Sequence, residues 1–374
     1  MTPVMMDVLE EHLDEASFLW SQWERALVAS RFDLSDTAEL EERLLAHVDG
    51  LVIGGEPAAA ELLLPGLETD EPERISASAL ALLAGSGKQE LEETLGVLDS
   101  GDEVQRAGIA RALELSEREG LEALLLKRLS AEEPAVRAMA FQVLAFRGAV
   151  PPETRTKWLY QDEPELVAAA LRDPRPLPRE VVQTVLPQLL VDPRPGVREA
   201  AIVAGLVSGS RGAWKACRKV AEDGGTGRGL CLALMALGGD EQDTQWLAEL
   251  ARDGASRADV LWALGFGGHA LGAEACLKWM EDAKAAALAG EAFSAITGLK
   301  LEGEFRLPPK EEEDALVPLE QEDLDADLVP GPEASLPLPH REQVERWWQK
   351  AQKDFARGTR YLRGHKLEAS GLLE

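Results

Sequence analysis

The stretch DPRPGVREAA, Asp192 to Ala201, opens as a turn and closes as a helix. Its leading aspartate suits a helix start, where a carboxylate accepts hydrogen bonds from free backbone N–H groups. Its prolines belong before or inside a first turn, where the missing N–H costs nothing. A near copy, EEPAVRAMA, stands at Glu132 to Ala140. Five more stretches carry the same punctuation: DEPERISASALALLAG from Asp70, SGDEVQRAGIARALEL from Ser100, QDEPELVAAALRD from Gln161, DGGTGRGLCLALMALG from Asp223 and RDGASRADVLWALGFG from Arg252. Aligned, they put Arg74, Arg106, Arg137, Ala168, Arg198, Arg228 and Arg257 at one position, with steps that shorten from 32 to 29 residues. A fixed period of this length is the mark of a repeat architecture.

Small residues follow each arginine at helical spacing, as Ala107, Ala110 and Leu113 do. A short break comes next, such as SGSRG (Ser208 to Gly212) or GFGGH (Gly265 to His269). A second amphipathic helix then follows, as in EALLLKRLS from Glu122, AWKACRKVAE from Ala213 and TQWLAELARD from Thr244. Two short helices cannot bury their apolar faces alone, so each pair is expected to stack on its neighbours. The predicted fold is all-α: an α-solenoid of helical hairpins of about 31 residues, resembling the short variety of HEAT-like repeat. In such arrays a turn acid and a helix arginine form a ladder between units. That resemblance assigns Arg74, Arg106, Arg137, Arg198 and Arg257 to a structural ladder, with Asp192 capping its helix and Arg198 reaching a neighbouring turn carboxylate. The Pro-rich repeat from Pro151 to Pro187 is the least regular, and the array is expected to bend or break there.

The totals agree with helices. Of 374 residues, 45% are apolar and only 5% aromatic, and the apolar set is dominated by Ala and Leu, which favour helix over strand. Cys217, Cys231 and Cys276 form no CxxC pair and read as small buried residues in a reducing compartment. The N-terminus shows no basic and apolar leader pattern, and no apolar run approaches a membrane span. A cytoplasmic chain without membrane contact is expected. The formal net charge of -28 disfavours nucleic acid as a partner, because phosphates would be repelled.

The ends differ from the middle. Residues 1–69 hold two longer helices, read as an N-terminal cap on the solenoid of residues 70–302. Residues 303–340 contain 11 acidic and 2 basic residues with 7 prolines, and read as an extended acidic linker. Residues 341–374 then return to a basic amphipathic helix, with Val344, Trp347, Trp348, Ala351 and Phe355 on one face. Docking of Trp347 and Trp348 on the same chain is preferred over a hook for a partner, since exposed paired tryptophans invite aggregation. A self-regulatory variant, in which the tail occupies the groove until a partner displaces it, is also open.

Four end segments carry a further likeness. DEASFLWSQWERAL, ELEERLLAHVDGL, AGEAFSAITGL and WWQKAQKDFARGTRYLRG, in that order, resemble an uncharacterised proteobacterial family of HEAT-repeat proteins. Its members are often encoded near type VI secretion components. The resemblance implies an accessory role in effector handling or immunity and supplies no catalytic residue. The turn Ser30-Arg31-Phe32 departs from the more basic or aromatic turn expected of that family.

A search for chemistry yields little. The histidines His12, His47, His269, His340 and His365 have no His or Cys partner at helical metal spacing. His47 beside Asp49 reads as a helix-end hydrogen bond. GSGK at Gly85 to Lys88 lacks the first glycine and the Ser or Thr of a phosphate loop. GGTGRG at Gly224 lacks the preceding strand of a dinucleotide site, and VSGS at Val207 lacks a nucleophile elbow. No cofactor is expected. Bilin-lyase chemistry has no residue to nominate, and the DNA-glycosylase variety of HEAT protein needs a basic face that is absent.

The reading is therefore a non-enzymatic protein-binding solenoid: a scaffold, an adaptor or an immunity protein for a type VI secretion effector module, meeting a basic effector or toxin or a spike component. Oligomeric state is left open. Residues four and five beyond each repeat arginine are expected to line the concave face. Arg111, Phe141, Gln142, Arg172 and Trp262 are the candidates there, with Trp347 and Trp348 in the tail. The alternative is a small-ligand or lyase-like enzyme, with a pocket near His47 or along that row.

Overall fold

The computed structural model describes residues 5–29, 32–308 and 336–368. Most of the acidic segment, residues 309–335, lies outside them, as do Ser30 and Arg31 of the divergent turn. The fold is all-α. One small hairpin is an exception, with β1 (Tyr361–Leu362) antiparallel to β2 (His365–Lys366). Among the described residues no helix is long and apolar enough to cross a membrane. The chain divides into two compact units, Met1–Ala213 and Trp214–Glu374.

In the first unit, α1 (Met6–Ala26) pairs with α2 (Leu34–Ala58). Asp33 caps α2 through a reciprocal box with Asp36. Gly55, at φ +61°, kinks α2 before a π-helical turn (Ala59–Leu63) and α3 (Leu64–Gly66). Helical hairpins follow: α4 (Pro72–Ala84) with α5 (Lys88–Ser100), α6 (Glu103–Leu115) with α7 (Leu121–Arg128), and α8 (Pro134–Phe146) with α9 (Pro152–Trp158). Next come α10 (Pro164–Arg172), α11 (Arg179–Thr184), α12 (Leu186–Leu189) and α13 (Pro195–Val207). The first helices form a row in which each packs on the one before: α1, α4, α6, α8, α10, α13. The small residues explain the close approach. A Cβ on Gly108 of α6 would lie 2.8 Å from Ile75 of α4.

The row runs unbroken through the Pro-rich repeat, since α10 packs on both α8 and α13. The break expected there is absent. The irregularity is confined to the second helix, split into α11 and α12 ahead of Pro187. Arg155 compensates from inside. Its guanidinium donates to the carbonyls of Ala170, Asp173, Arg175 and Pro176, and the Asp173 carboxylate lies 3.6 Å away.

The unit boundary falls within α14 (Arg211–Asp223). The second unit continues with α15 (Arg228–Gly238), α16 (Glu241–Leu250), α17 (Arg257–Gly267), α18 (Ala270–Leu277) and α19 (Ala286–Thr297). Here α17 packs between α15 and α19. The three cysteines are buried and form no disulfide, and burial pushes the Cys276 thiol up to about 12. The Cys217 Sγ lies 3.4 Å from the Cys231 carbonyl.

Residues 303–308 and 336–340 are not the two ends of an open tether. Arg306 bridges antiparallel to Pro339, and the Leu307 N–H donates to the Leu338 carbonyl. The chain then enters α20 (Arg341–Ala351), which packs on α18, with Val344 and Trp348 buried.

Candidate interaction surface

The repeat arginine does two jobs. It reaches back to a carbonyl at the end of the preceding helix, Arg106 to Asp99, Arg228 to Ala221 and Arg257 to Ala251, or in the turn before its own helix, Arg198 to Asp192. It also reaches forward to an acid at the start of the next first helix: Arg106 to Glu133 at 2.8 Å, Arg137 to Glu163 at 3.8 Å and Arg257 to Asp282 at 2.9 Å. Arginine-to-acid contacts are present at those three positions. Arg74 instead pairs with Asp14 of α1, which stands in for a preceding unit.

Two expectations at the opening stretch need correcting. Arg198 meets the backbone carbonyl of Asp192 in its own turn, not a neighbouring carboxylate. Asp192 does not cap α13, whose N-cap is Arg194. Its carboxylate accepts from the Arg194 backbone N–H and chelates the Arg194 guanidinium, a turn made two residues earlier than the helix. That side-chain contact holds the Asp192 carboxyl below its ordinary range.

Adjacent helical positions point about 100° apart, so only one of the two candidate rows can face outward. Four residues beyond the arginine, Ala110, Phe141, Ile202, Leu232 and Leu261 are all buried. Phe141 is therefore core, stacked on Trp158 with centroids 4.7 Å apart, and not a partner-binding residue. One position further, Arg111, Gln142 and Trp262 reach the surface. The repeat that lacks its arginine is offset by one: Arg172 is exposed and Asp173 buried. Arg172 borders a hollow of about 210 Å³ with Glu199 and Val203. Arg111 is committed within the fold, pairing with Glu24 and Glu114 at 3.1 Å beside the Trp23 ring. Gln142 meets Glu114 at 3.4 Å.

The exposed apolar surface of the second unit gathers on α15 and α17. Trp262 and Phe266, one turn apart, meet edge to face at 5.2 Å and remain 39% and 44% exposed. Leu230 and Leu237 on the neighbouring α15 are 39% and 52% exposed. Phe266 and Leu237 sit nine residues beyond their repeat arginines, a row the sequence analysis did not single out. Phe146 and Val207 occupy the same row in the first unit and are also exposed. An acidic residue lies one turn before Trp262 on the same helix. Asp259 is exposed on α17, and Glu291 stands five residues beyond Ala286, which takes the repeat position on α19. Burial raises the Glu291 carboxyl above its ordinary value, and Arg363 opposes that rise.

Of the tail tryptophans Trp348 is buried and Trp347 half-buried. Trp348 and Trp347 lie edge-on to Phe293 of α19 at 5.6 and 6.1 Å, and Trp348 continues through Phe355 to Tyr361. Beyond them, residues 356–366 cross the C-terminal ends of three first helices. Arg360 donates to Ala236 and Gly267 carbonyls at 3.1 Å and also to that of Gly239. The Tyr361 N–H reaches the Gly268 carbonyl, and the Arg363 and Gly364 N–H groups reach Ala295 and Ile296. Gly268 and Gly298 permit this approach. Both have positive φ, and a Cβ there would meet the Tyr361 and Arg363 carbonyls inside contact distance.

Sequence reasoning also missed Trp214, Trp246 and Trp279, although their near-constant spacing was a readable signal. Two stack under guanidinium groups: Arg218 over Trp246 at 4.5 Å and Arg257 over Trp279 at 4.0 Å. Among the described residues no group of three or more His, Cys, Asp and Glu side chains could hold a metal ion. His47 does not meet Asp49 but His12, through their Nδ1 atoms at 3.0 Å.

No family model matches the chain, and no curated protein matches it. Solved structures similar to it include an engineered protein from the Northeast Structural Genomics Consortium, at 17% identity and a TM-score of 0.33. That match covers 76% of this chain and 89% of the other, and a likeness this weak carries no argument.

Proposed function

We propose that this chain is a non-enzymatic protein-binding α-solenoid of short HEAT-like hairpins, and that its docking surface is the ridge formed by Leu230, Leu237, Trp262 and Phe266. The exposed Trp262–Phe266 pair carries the reading. Aromatic residues at the centre of a patch dominate binding energy, and an exposed pair with aliphatic neighbours is costly to leave in water. The solenoid reading is supported by the first helices packing in sequence and by the arginine-to-acid steps at Arg106, Arg137 and Arg257. Asp259, exposed one turn before Trp262, favours a partner that brings a cation to an apolar contact.

The physiological setting rests on the family resemblance alone. It is an adaptor, scaffold or immunity protein for a type VI secretion effector module, facing a basic effector or toxin or a spike component. The test compares capture from the native cell lysate by full-length wild type and by Trp262→Ser/Phe266→Ser. A protein retained stoichiometrically by wild type and lost with the double variant, at unchanged helical content, supports the ridge. Equal capture by both rejects it.

A further inference from the structure

His269 lies in the break between α17 and α18, where it is the N-cap residue of α18. It is 4% exposed, and neither ring nitrogen makes a full hydrogen bond. The tail covers it: Arg360 forms an antiparallel bridge with His269, and the Tyr361 backbone lies on Gly268. The Gly239 backbone interacts with the ring, and its carbonyl already receives the Arg360 guanidinium.

We propose that His269 makes the docking of the tail segment 356–366 sensitive to pH, so that mild acidification releases it from the ends of α15, α17 and α19. A protonated imidazole at this place is opposed three times. It is desolvated, it faces the Arg360 cation, and it sits at the positive end of the α18 dipole. Two acids at the start of α16 work the other way. Asp240 and Glu241 favour the imidazolium, but Glu241 is engaged by the tail, accepting from the Gly358 N–H at 2.7 Å. The balance lowers the docked-state value below the ordinary 6.5.

The sign follows from proton counting. The undocked tail leaves His269 hydrated and titrating near its ordinary value. Between that value and the lower docked one, the undocked state binds more protons. Docking is therefore at full strength above the ordinary histidine value. It weakens as pH falls and levels off once the docked form is itself protonated. Glu291 beside Arg363 also departs from its ordinary value, raised by burial, and the His269 variant separates its contribution from that of the imidazole.

Amide hydrogen exchange on the full chain tests this, with rates corrected for intrinsic pH dependence, at about pH 8 and about pH 5, either side of the ordinary value. Expected is a several-fold rise in corrected exchange for peptides spanning 356–366 at the lower pH, with peptides of α4 and α6 unchanged. His269→Phe keeps a ring of similar shape that cannot charge, and it should hold the tail protected at both values. Unchanged wild-type exchange overturns the proposal even if the variant does not fold. So does an undiminished pH response in a folded His269→Phe or His269→Leu.

Discussion

The guanidinium of Arg360 donates to the carbonyl of Ala236, 124 residues earlier in the chain, at 3.1 Å. The first unit uses the same device at shorter range. Arg118 donates to the carbonyls of Gly85 and Gly87 at 2.6 Å, and Arg147 to that of Ser116 at 2.6 Å. The problem solved is common to all three. A helix ends with carbonyls that have no partner within it, and a planar cation with five N–H donors can satisfy several at once. In the first unit the next hairpin brings the arginine. In the second unit the tail brings it, so residues 341–366 belong to the fold.

Replacing Arg360 by Gln should therefore act on the second unit. Hydrogen bonds from charged donors contribute roughly 2–3 kcal/mol, and here three buried carbonyls lose their donor. Expected is an earlier urea transition and faster amide exchange in α15, α17 and the tail. An unchanged transition with unchanged exchange would show that Arg360 contributes nothing to the packing.

Carbonyl-binding arginines and acid-pairing arginines should differ in weight. Glu133, which receives Arg106, has its side chain about half exposed, and exposed ion pairs contribute only about 0–1 kcal/mol. Arg118 holds main-chain carbonyls at a helix end. Arg118→Ala is expected to lower stability by more than Glu133→Ala, about 2 kcal/mol against less than 1. Comparable losses in paired urea melts would overturn that ranking.

The distinction explains how much of the fold was readable. The period of the arginines gave the helical hairpins and three acid-pairing steps, because turn acids and helix arginines recur at fixed spacing. Arg118, Arg147 and Arg360 could not be found that way. They bind backbone carbonyls, which leave no mark in the sequence, and each comes from a different element. The surface row was legible only to within one residue. Four and five residues beyond the arginine look alike in an Ala- and Leu-rich helix, so Phe141 was assigned outward although it stacks on Trp158. The Phe266 and Leu237 row was missed because it falls next to the breaks, where apolar residues are also expected to close the hairpin.

Asp173 offers a sharper test of buried charge. Burial by itself would raise its carboxyl. Hydrogen bonds from the Arg175 side chain and backbone, with the Arg155 charge, outweigh that and hold it below its ordinary 3.8. Asp173→Asn removes the charge that balances Arg155 among buried carbonyls. Breaking one partner of a buried pair costs about 3–5 kcal/mol, and the loss should fall in the first unit. The wild-type contribution is present in full above the ordinary carboxylate value and is lost as pH falls through the depressed one. A pH series of urea melts that shows the same wild-type-to-variant gap at neutral and strongly acid pH would refute this account.

His12 and His47 pin α1 to α2 through one shared proton. With Nδ1 atoms 3.0 Å apart, one ring must donate and the other accept, which requires at least one neutral imidazole. Burial is the largest influence on His47 and lowers its value, with His12 and Arg43 acting the same way and Glu15 opposing. A folded value below the unfolded one means that the contribution is complete above the ordinary histidine value and declines as pH falls through the lowered one. When both rings are charged, two N–H groups face each other and the bond is gone. Nuclear magnetic resonance of the imidazole nitrogens should show His47 titrating below 6.5, with faster amide exchange in α1 and α2 as it protonates. His12→Asn should raise the His47 value by removing one of the two cations that oppose its charge. A His47 titration unmoved by that substitution would mean the rings do not share a proton.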